Sequence, residues 1–229
     1  MTPETLAALL AARADRRAVV LATRLPDGAQ RLLPDDTAPP ALQHAAANAL
    51  TQDENTLAAI DGENWFLHVH APPYRLLVIG AVHIAQSLAP IAALAGYAVT
   101  IIDPRRGFAT AARFPDTALH CAWPDHALTA LAADRRSAVV TLTHDPKLDD
   151  PALDAALRTS AFFIGSLGSR KNHAARLERL AALGHTPANL ARIRGPVGLR
   201  IGGRTTAEIA VSILAEIIAA RRGAALGQR

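Results

Sequence analysis

The stretch GSLGSRK, Gly165 to Lys171, places two glycines three residues apart, two serines and two adjacent cations at the end of the apolar run FFIG. Where a strand turns into a helix in this way, backbone N–H groups converge and the helix dipole adds positive potential, which makes a seat for an anion. Gly165, Gly168, Ser169, Arg170 and Lys171 are the candidate contacts. The G-x-x-x-x-G-K-[ST] spacing is missing, which disfavours a triphosphate-binding loop. The alternative is a structural turn with both cations in solvent.

Four other stretches carry residues of the same kind. LLVIGAVHIAQ (76–86) reads as the strand, turn and helix start of a nucleotide-binding domain, with Gly80 in the tight turn and Ala85 replacing the third glycine of G-x-G-x-x-G. Val82 stands where the middle glycine normally lets backbone approach a pyrophosphate, so ordinary dinucleotide geometry is disfavoured. The helix start, with His83 in its first turn, still attracts an anion; a purely structural turn is the alternative.

Asp103 follows Gly80 by 23 residues and precedes Arg105 and Arg106. An acid at that spacing takes a ribose hydroxyl and a neighbouring arginine a phosphate, unless Asp103 merely caps a short helix. In THDPKLDD (143–150), His144 and Asp145 are candidates for ligand contact or proton transfer, and Asp149 or Asp150 for a helix cap. GPVGLRIGGRTTAEIA (195–210) has capping-box spacing at Thr205 and Glu208, and Gly203 and Arg204 ahead of it offer a third set of donors. No side chains have the spacing of a nucleophile and base or of a metal site, so neither a catalytic nor a metal centre is expected. Cys121 reads as a small buried apolar residue, and His68 and His70 as structural.

These residues need elements to hold them. Short apolar runs, LLVIG, VTIID (99–103), ALHCA (118–122), AVVTLT (138–143) and FFIG, alternate with helical stretches at about 83–95, 125–133, 150–158, 170–183 and 206–221. That alternation predicts an α/β fold, a Rossmann-like doubly wound parallel sheet. Ahead of it a helix (4–14), a strand (18–23), a helix (41–50) and a strand (64–70) predict a small N-terminal α/β domain, with the boundary at Pro72 and Pro73. The expected domains are therefore 1–73 and 74–229.

Half of the residues are apolar, the formal net charge is +4, and Cys121 is the only cysteine. Disorder, a disulfide framework and a multi-cysteine zinc site are excluded. With no basic stripe interleaved with aromatics, nucleic acid is not an expected partner. No apolar run spans a bilayer and charges interrupt residues 1–20, so a soluble cytoplasmic protein is expected, with no membrane partner.

Together GAVHIAQ, VTIIDPRRGFA, FPD, VVTLTHDPKLDDPAL, FFIGSLGSRKN and GPVGLRIGGRTTAEIAVSILAEI resemble the xanthine dehydrogenase accessory-protein family, XdhC with its CoxI relatives, over about residues 75–220. Most relatives have GAGHV at the opening turn; GAVHIAQ resembles a short-form subgroup. The resemblance implies a non-catalytic chaperone that binds molybdenum cofactor, as molybdopterin or its nucleotide form. It also implies delivery of the sulfurated cofactor to a molybdenum hydroxylase of the xanthine or carbon monoxide dehydrogenase type. A cysteine desulfurase partner and a homodimer come with it. Residues 1–73 contain no cysteine, which disfavours direct sulfur carriage there. Two other readings stay open. One is an NAD(P)-dependent oxidoreductase using Asp103 or Arg105 for the cofactor and His144 with Asp145 for proton transfer; the other is a scaffold with a vestigial Rossmann domain.

Overall fold

The computed structural model describes residues 1–224. The chain divides into two compact units, Met1–Pro72 and Pro73–Arg229. In the first, helix α1 (Pro3–Ala14), strands β1 (Val19–Arg24) and β2 (Gln30–Leu33), helix α2 (Pro40–Gln52) and strands β3 (Thr56–Ile60) and β4 (Glu63–His70) form an antiparallel sheet in the order β2-β1-β4-β3. Alternation along the strands sends Val20, Ala22, Trp65 and Leu67 towards Leu42, Ala46 and Ala49 of α2, while Val19 meets Leu9 and Ala12 of α1. Strands β2 and β3, both at sheet edges, were not expected from the sequence.

The second unit holds the candidate site. Its elements are β5 (Arg75–Ile79), α3 (His83–Leu94), β6 (Ala98–Ile102), β7 (Ala118–His120), α4 (Pro124–Ala130), β8 (Ser137–Thr141), α5 (Pro146–Leu157), β9 (Phe163–Ser166), α6 (Arg170–Ala182), α7 (Pro187–Leu190), β10 (Ile193–Arg194) and α8 (Thr206–Arg221). The six strands form one parallel sheet in the order β10-β9-β8-β5-β6-β7. The order reverses between β5 and β8, which makes the topological switch point where ligands bind in open α/β sheets. Ile79 pairs with both Ile102 and Thr141, so the loops starting at Gly80, Asp103 and Leu142 leave the sheet at one level.

Leu76, Leu77, Val78 and Ile79 are fully buried because both sheet faces are covered. Leu76 and Val78 belong to a core with α3 and α8; Leu77 and Ile79 belong to one with α4, α5 and α6. Burying each such side chain contributes roughly 1.5–3 kcal/mol. Helix α5 starts at Pro146, four residues before the expected 150, because Asp145 caps it and Pro146 fits the first helical position. Asp149 and Asp150, the expected caps, lie inside that helix. The short elements α7 and β10 were also unexpected.

Candidate functional site

Helices α3, α5 and α6 each begin where β5, β8 and β9 end. Helix α8 also starts at this edge, since Arg221 in its last turn lies over Tyr74 and Tyr97 at the opposite ends of β5 and β6. Four helix N-termini therefore gather at the carboxyl end of the sheet, and they differ in how many N–H groups they leave free.

At the first turn, Gly80 has φ +107°, and a β-carbon there would stand 2.6 Å from Thr143 Cγ2. Only glycine fits that backbone and that contact. Val82 takes the N-cap position of α3 in an extended conformation and makes no side-chain cap, so the first-turn N–H groups, starting with His83, lack a capping acceptor. Asp103 is fully buried and points back into this turn, accepting from Ala81 N (2.8 Å), Arg105 N (2.9 Å), and Arg105 Nε (2.9 Å) and Nη2 (2.7 Å). Burial alone would raise its pKa, but the Arg105 guanidinium and the two N–H groups outweigh it and hold the carboxyl below its ordinary range. The structure therefore engages the expected ribose acceptor internally, and no helix follows for it to cap. Arg105 stays exposed, with its guanidinium 4.6 Å from the ring centre of Phe108, itself exposed. Arg106 is exposed too.

After β8, Thr143 Oγ1 accepts from Asp145 N (3.1 Å) and donates to Asp149 Oδ1 (2.6 Å), while Asp145 caps Lys147 N at 3.0 Å. Asp145 also lies near enough to Arg105 to strengthen its hold on its proton. His144 is exposed with φ 61°, a left-handed backbone that costs a non-glycine residue about 1–2 kcal/mol.

The loop after β9 is tied down from several sides. Leu167 N binds Thr141 O (2.9 Å), Val197 N binds Ser166 O (3.0 Å), and the Thr141 and Ser166 hydroxyls meet at 2.6 Å. Gly165 sits against Val197 and Phe163 with no room for a β-carbon. Gly168 turns the chain at φ +145°, and Ser169 caps Asn172 N at 3.1 Å. The N–H groups of Gly168, Ser169, Arg170 and Lys171 have no acceptor among the described residues, and the Arg170 and Lys171 side chains are exposed. Helix α8 differs: the capping box exists, and Glu208 Oε2 takes both Arg204 N (2.8 Å) and Thr205 N (2.9 Å). The capping box thus takes the N–H groups of Arg204 and Thr205 and Gly203 packs on Glu208, while the N–H groups of Gly203, Thr206 and Ala207 have no acceptor among the described residues and the Arg204 side chain is exposed beside them.

Sequence reasoning missed what lies beneath these loops. Arg176 of α6, 4% exposed, donates Nη2 to Leu167 O (3.1 Å) and lies 3.6 Å from Asp149 Oδ2. Asp149 is 1% exposed; burial pushes its carboxyl up against the pull of Thr143 and Arg176, and burial likewise lowers the pKa of Arg176. The one signal was Gly195, where a β-carbon would overlap the ring of His173, three residues before Arg176 on α6. Cys121, expected buried, is exposed beyond the end of the three-residue strand β7. Among the described residues no group of three His, Cys, Asp or Glu side chains is placed to hold a metal ion, and no helix is long and apolar enough to cross a membrane.

Strand order, switch point and the glycine turn together define a Rossmann-type α/β domain. The family model described as the XdhC Rossmann domain matches residues 76–217, and the chain belongs to that family. Similar proteins include the molybdenum cofactor insertion chaperone PaoD of Escherichia coli (strain K12), 33% identical over 150 residues, 66% of this chain and 41% of that one. A protein of Bacillus subtilis (strain 168), named as a probable xanthine dehydrogenase subunit, is 34% identical over 164 residues, 71% of this chain and 48% of that one. The uncharacterized protein YqeB of Escherichia coli (strain K12) is 34% identical over 161 residues, 69% of this chain and 29% of that one. The match spans less than half the length of each of these relatives. A crystal structure of a xanthine dehydrogenase from Bacillus halodurans superposes with TM-score 0.71 at 21% identity over 99% of this chain and 66% of that one, a likeness of fold.

Proposed function

We propose that the chain is a non-catalytic chaperone that seats molybdenum cofactor, as molybdopterin or its nucleotide form, at the carboxyl edge of the parallel sheet for insertion into a molybdenum hydroxylase. The observation that carries this reading is the run Gly168–Lys171, where four uncommitted N–H groups start α6 beside two exposed cations. Molybdopterin ends in a phosphate and holds its metal through a dithiolene, so it brings concentrated negative charge and its own metal ligands. Preorganised N–H donors and cations suit such a group, with Arg105, Arg204 and the start of α3 as further contacts, while Gly165, buried in β9, serves the strand and not the ligand. Family membership and the likeness to PaoD support the same reading. Receipt of sulfurated cofactor from a cysteine desulfurase, clients of the xanthine or carbon monoxide dehydrogenase type, a homodimer and a cytoplasmic setting complete it.

The nicotinamide alternative is weakened by two features. Asp103 has both carboxylate oxygens engaged by Ala81 and Arg105, and Val82 stands where a glycine would let backbone approach a pyrophosphate. Under anaerobic conditions the purified chain is expected to retain molybdenum cofactor through gel filtration. Arg170→Ala with Lys171→Ala is expected to weaken retention about tenfold or more, since a hydrogen bond to a charged group contributes roughly 1.5–3 kcal/mol. No retention, with saturable NADH binding in a parallel titration, overturns the proposal.

A further inference from the structure

Seven buried side-chain polar atoms without a hydrogen-bond partner are found among the described residues, and four of them, Asp149 Oδ2, His173 Nδ1, Arg176 Nε and Arg176 Nη1, belong to one cluster behind the β8–α5 and β9–α6 loops. A buried ion pair held this loosely is weak evidence for stability, because apolar residues of similar volume usually serve as well or better. What the pair does hold is specific. Arg176 fixes the Leu167 carbonyl just before Gly168, the first of the uncommitted N–H groups. Asp149 fixes Thr143, which accepts from Asp145 N and whose methyl group abuts Gly80. One chain of contacts thus runs from the opening turn through Thr143, Asp149 and Arg176 to the α6 loop.

We infer that Asp149 and Arg176 are positioning residues that join the β5–α3, β8–α5 and β9–α6 loops into one ligand-bearing unit. This rests on the reading that these loops seat an anion, and it adds that the seat is held in shape by a strut that never touches the ligand. The geometry explains why Gly195 is a glycine, since the His173 ring passes directly beneath it, while Gly168 is required by its φ of +145°. It also gives the opening turn a role despite Val82, because Gly80 rests on Thr143 and so takes part in the α6 loop's position.

Amide hydrogen exchange on the full chain without ligand tests the strut. Arg176→Lys keeps a cation but loses the planar fork, and it is expected to speed exchange about tenfold both at the bonded amides of 142–149 and at Leu167, whose N–H is held by Thr141 O, while β5 and β8 stay protected. Acceleration confined to Leu167 overturns the inference. Should that variant fail to fold, Asp149→Leu with Arg176→Met fills the same space without buried charge. It is expected to fold and to show fast exchange in both loops; wild-type protection in both loops overturns the inference. In a second arm this double variant, with Arg170 and Lys171 intact, is expected to bind molybdenum cofactor at least about tenfold more weakly than the parent, and equal affinity overturns the inference. If the parent itself binds no cofactor, the proposed function fails while the exchange experiment still decides the strut.

Discussion

Asp103, just after β6, and Asp149, in the first turn of α5, are both buried carboxyls near the carboxyl edge of the parallel sheet, and their surroundings drive them in opposite directions. Asp103 is lowered by Arg105 and two backbone N–H groups in spite of burial; Asp149 is raised by burial in spite of Thr143 and Arg176. With its folded pKa below the unfolded value of about 3.9, Asp103 contributes stability that is present above that value and lost as the pH falls through the folded one. Asp149 has its folded pKa above about 3.9, so across that window the native state holds the extra proton and stability falls as the pH rises. Replacing Asp103 with Asn is expected to cost about 1–3 kcal/mol at pH 7, the scale of a disrupted buried charged hydrogen bond. Urea unfolding from pH 7 down to pH 3 checks the origin: the gap to the parent narrows below about pH 4 if the carboxylate charge is responsible. A gap that stays constant over the whole range assigns the loss to packing.

Among the helices, α3 and α8 start side by side at the same sheet edge with opposite terminal chemistry. Thr205 and Glu208 close the start of α8, whereas Val82 leaves that of α3 open. Val82 has φ −96° and ψ 173°, an extended backbone compatible with a capping side chain. Val82→Thr keeps the branched shape and adds a hydroxyl acceptor, so it is expected to raise unfolding free energy by about 0.5–1 kcal/mol, the lower part of the N-cap range. Loss of stability on urea unfolding instead means that packing of the Val82 methyl groups outweighs the cap. Cap signals of this kind were legible in the sequence for α8, since Thr205 and Glu208 have the right spacing. They were misread for α5, where Asp145 and Pro146 open the helix and Asp149 turns inward. Strands β5, β6, β8 and β9 were legible because helices cover both faces and the runs are continuously apolar. Strands β2 (QRLL) and β3 (TLAAI) were not, being short sheet edges fixed by pairing to β1 and β4 and not by local pattern. In the site, GSLGSRK could be read from its glycines and cations. Arg176 could not: within RKNHAARLERL it resembles any solvated arginine, and aspartate and arginine are rarely buried unless paired.

At the scale of the whole molecule, the family model's 76–217 lies within the second unit, and both core clusters flanking the parallel sheet are drawn from that unit's residues. One cluster joins β5, β6, β8 and β9 to α3 and α8, the other joins the same strands and β10 to α4, α5 and α6. A doubly covered sheet of this size has its hydrophobic faces satisfied internally, and a domain of about 150 residues buries roughly 70% of its unfolded surface. The loops that form the candidate site, from Gly80 to Thr205, also leave strands of this unit alone. The segment Pro73–Arg229 produced by itself is therefore expected to unfold in one cooperative urea transition. It is also expected to retain molybdenum cofactor with an affinity within about threefold of the full chain, a difference under about 0.7 kcal/mol. A broad, non-cooperative transition would mean that residues 1–72 complete the fold. Cooperative folding with lost retention would mean that those residues supply part of the seat, and would move the search for the remaining contacts from the sheet's carboxyl edge to the antiparallel sheet of the first unit.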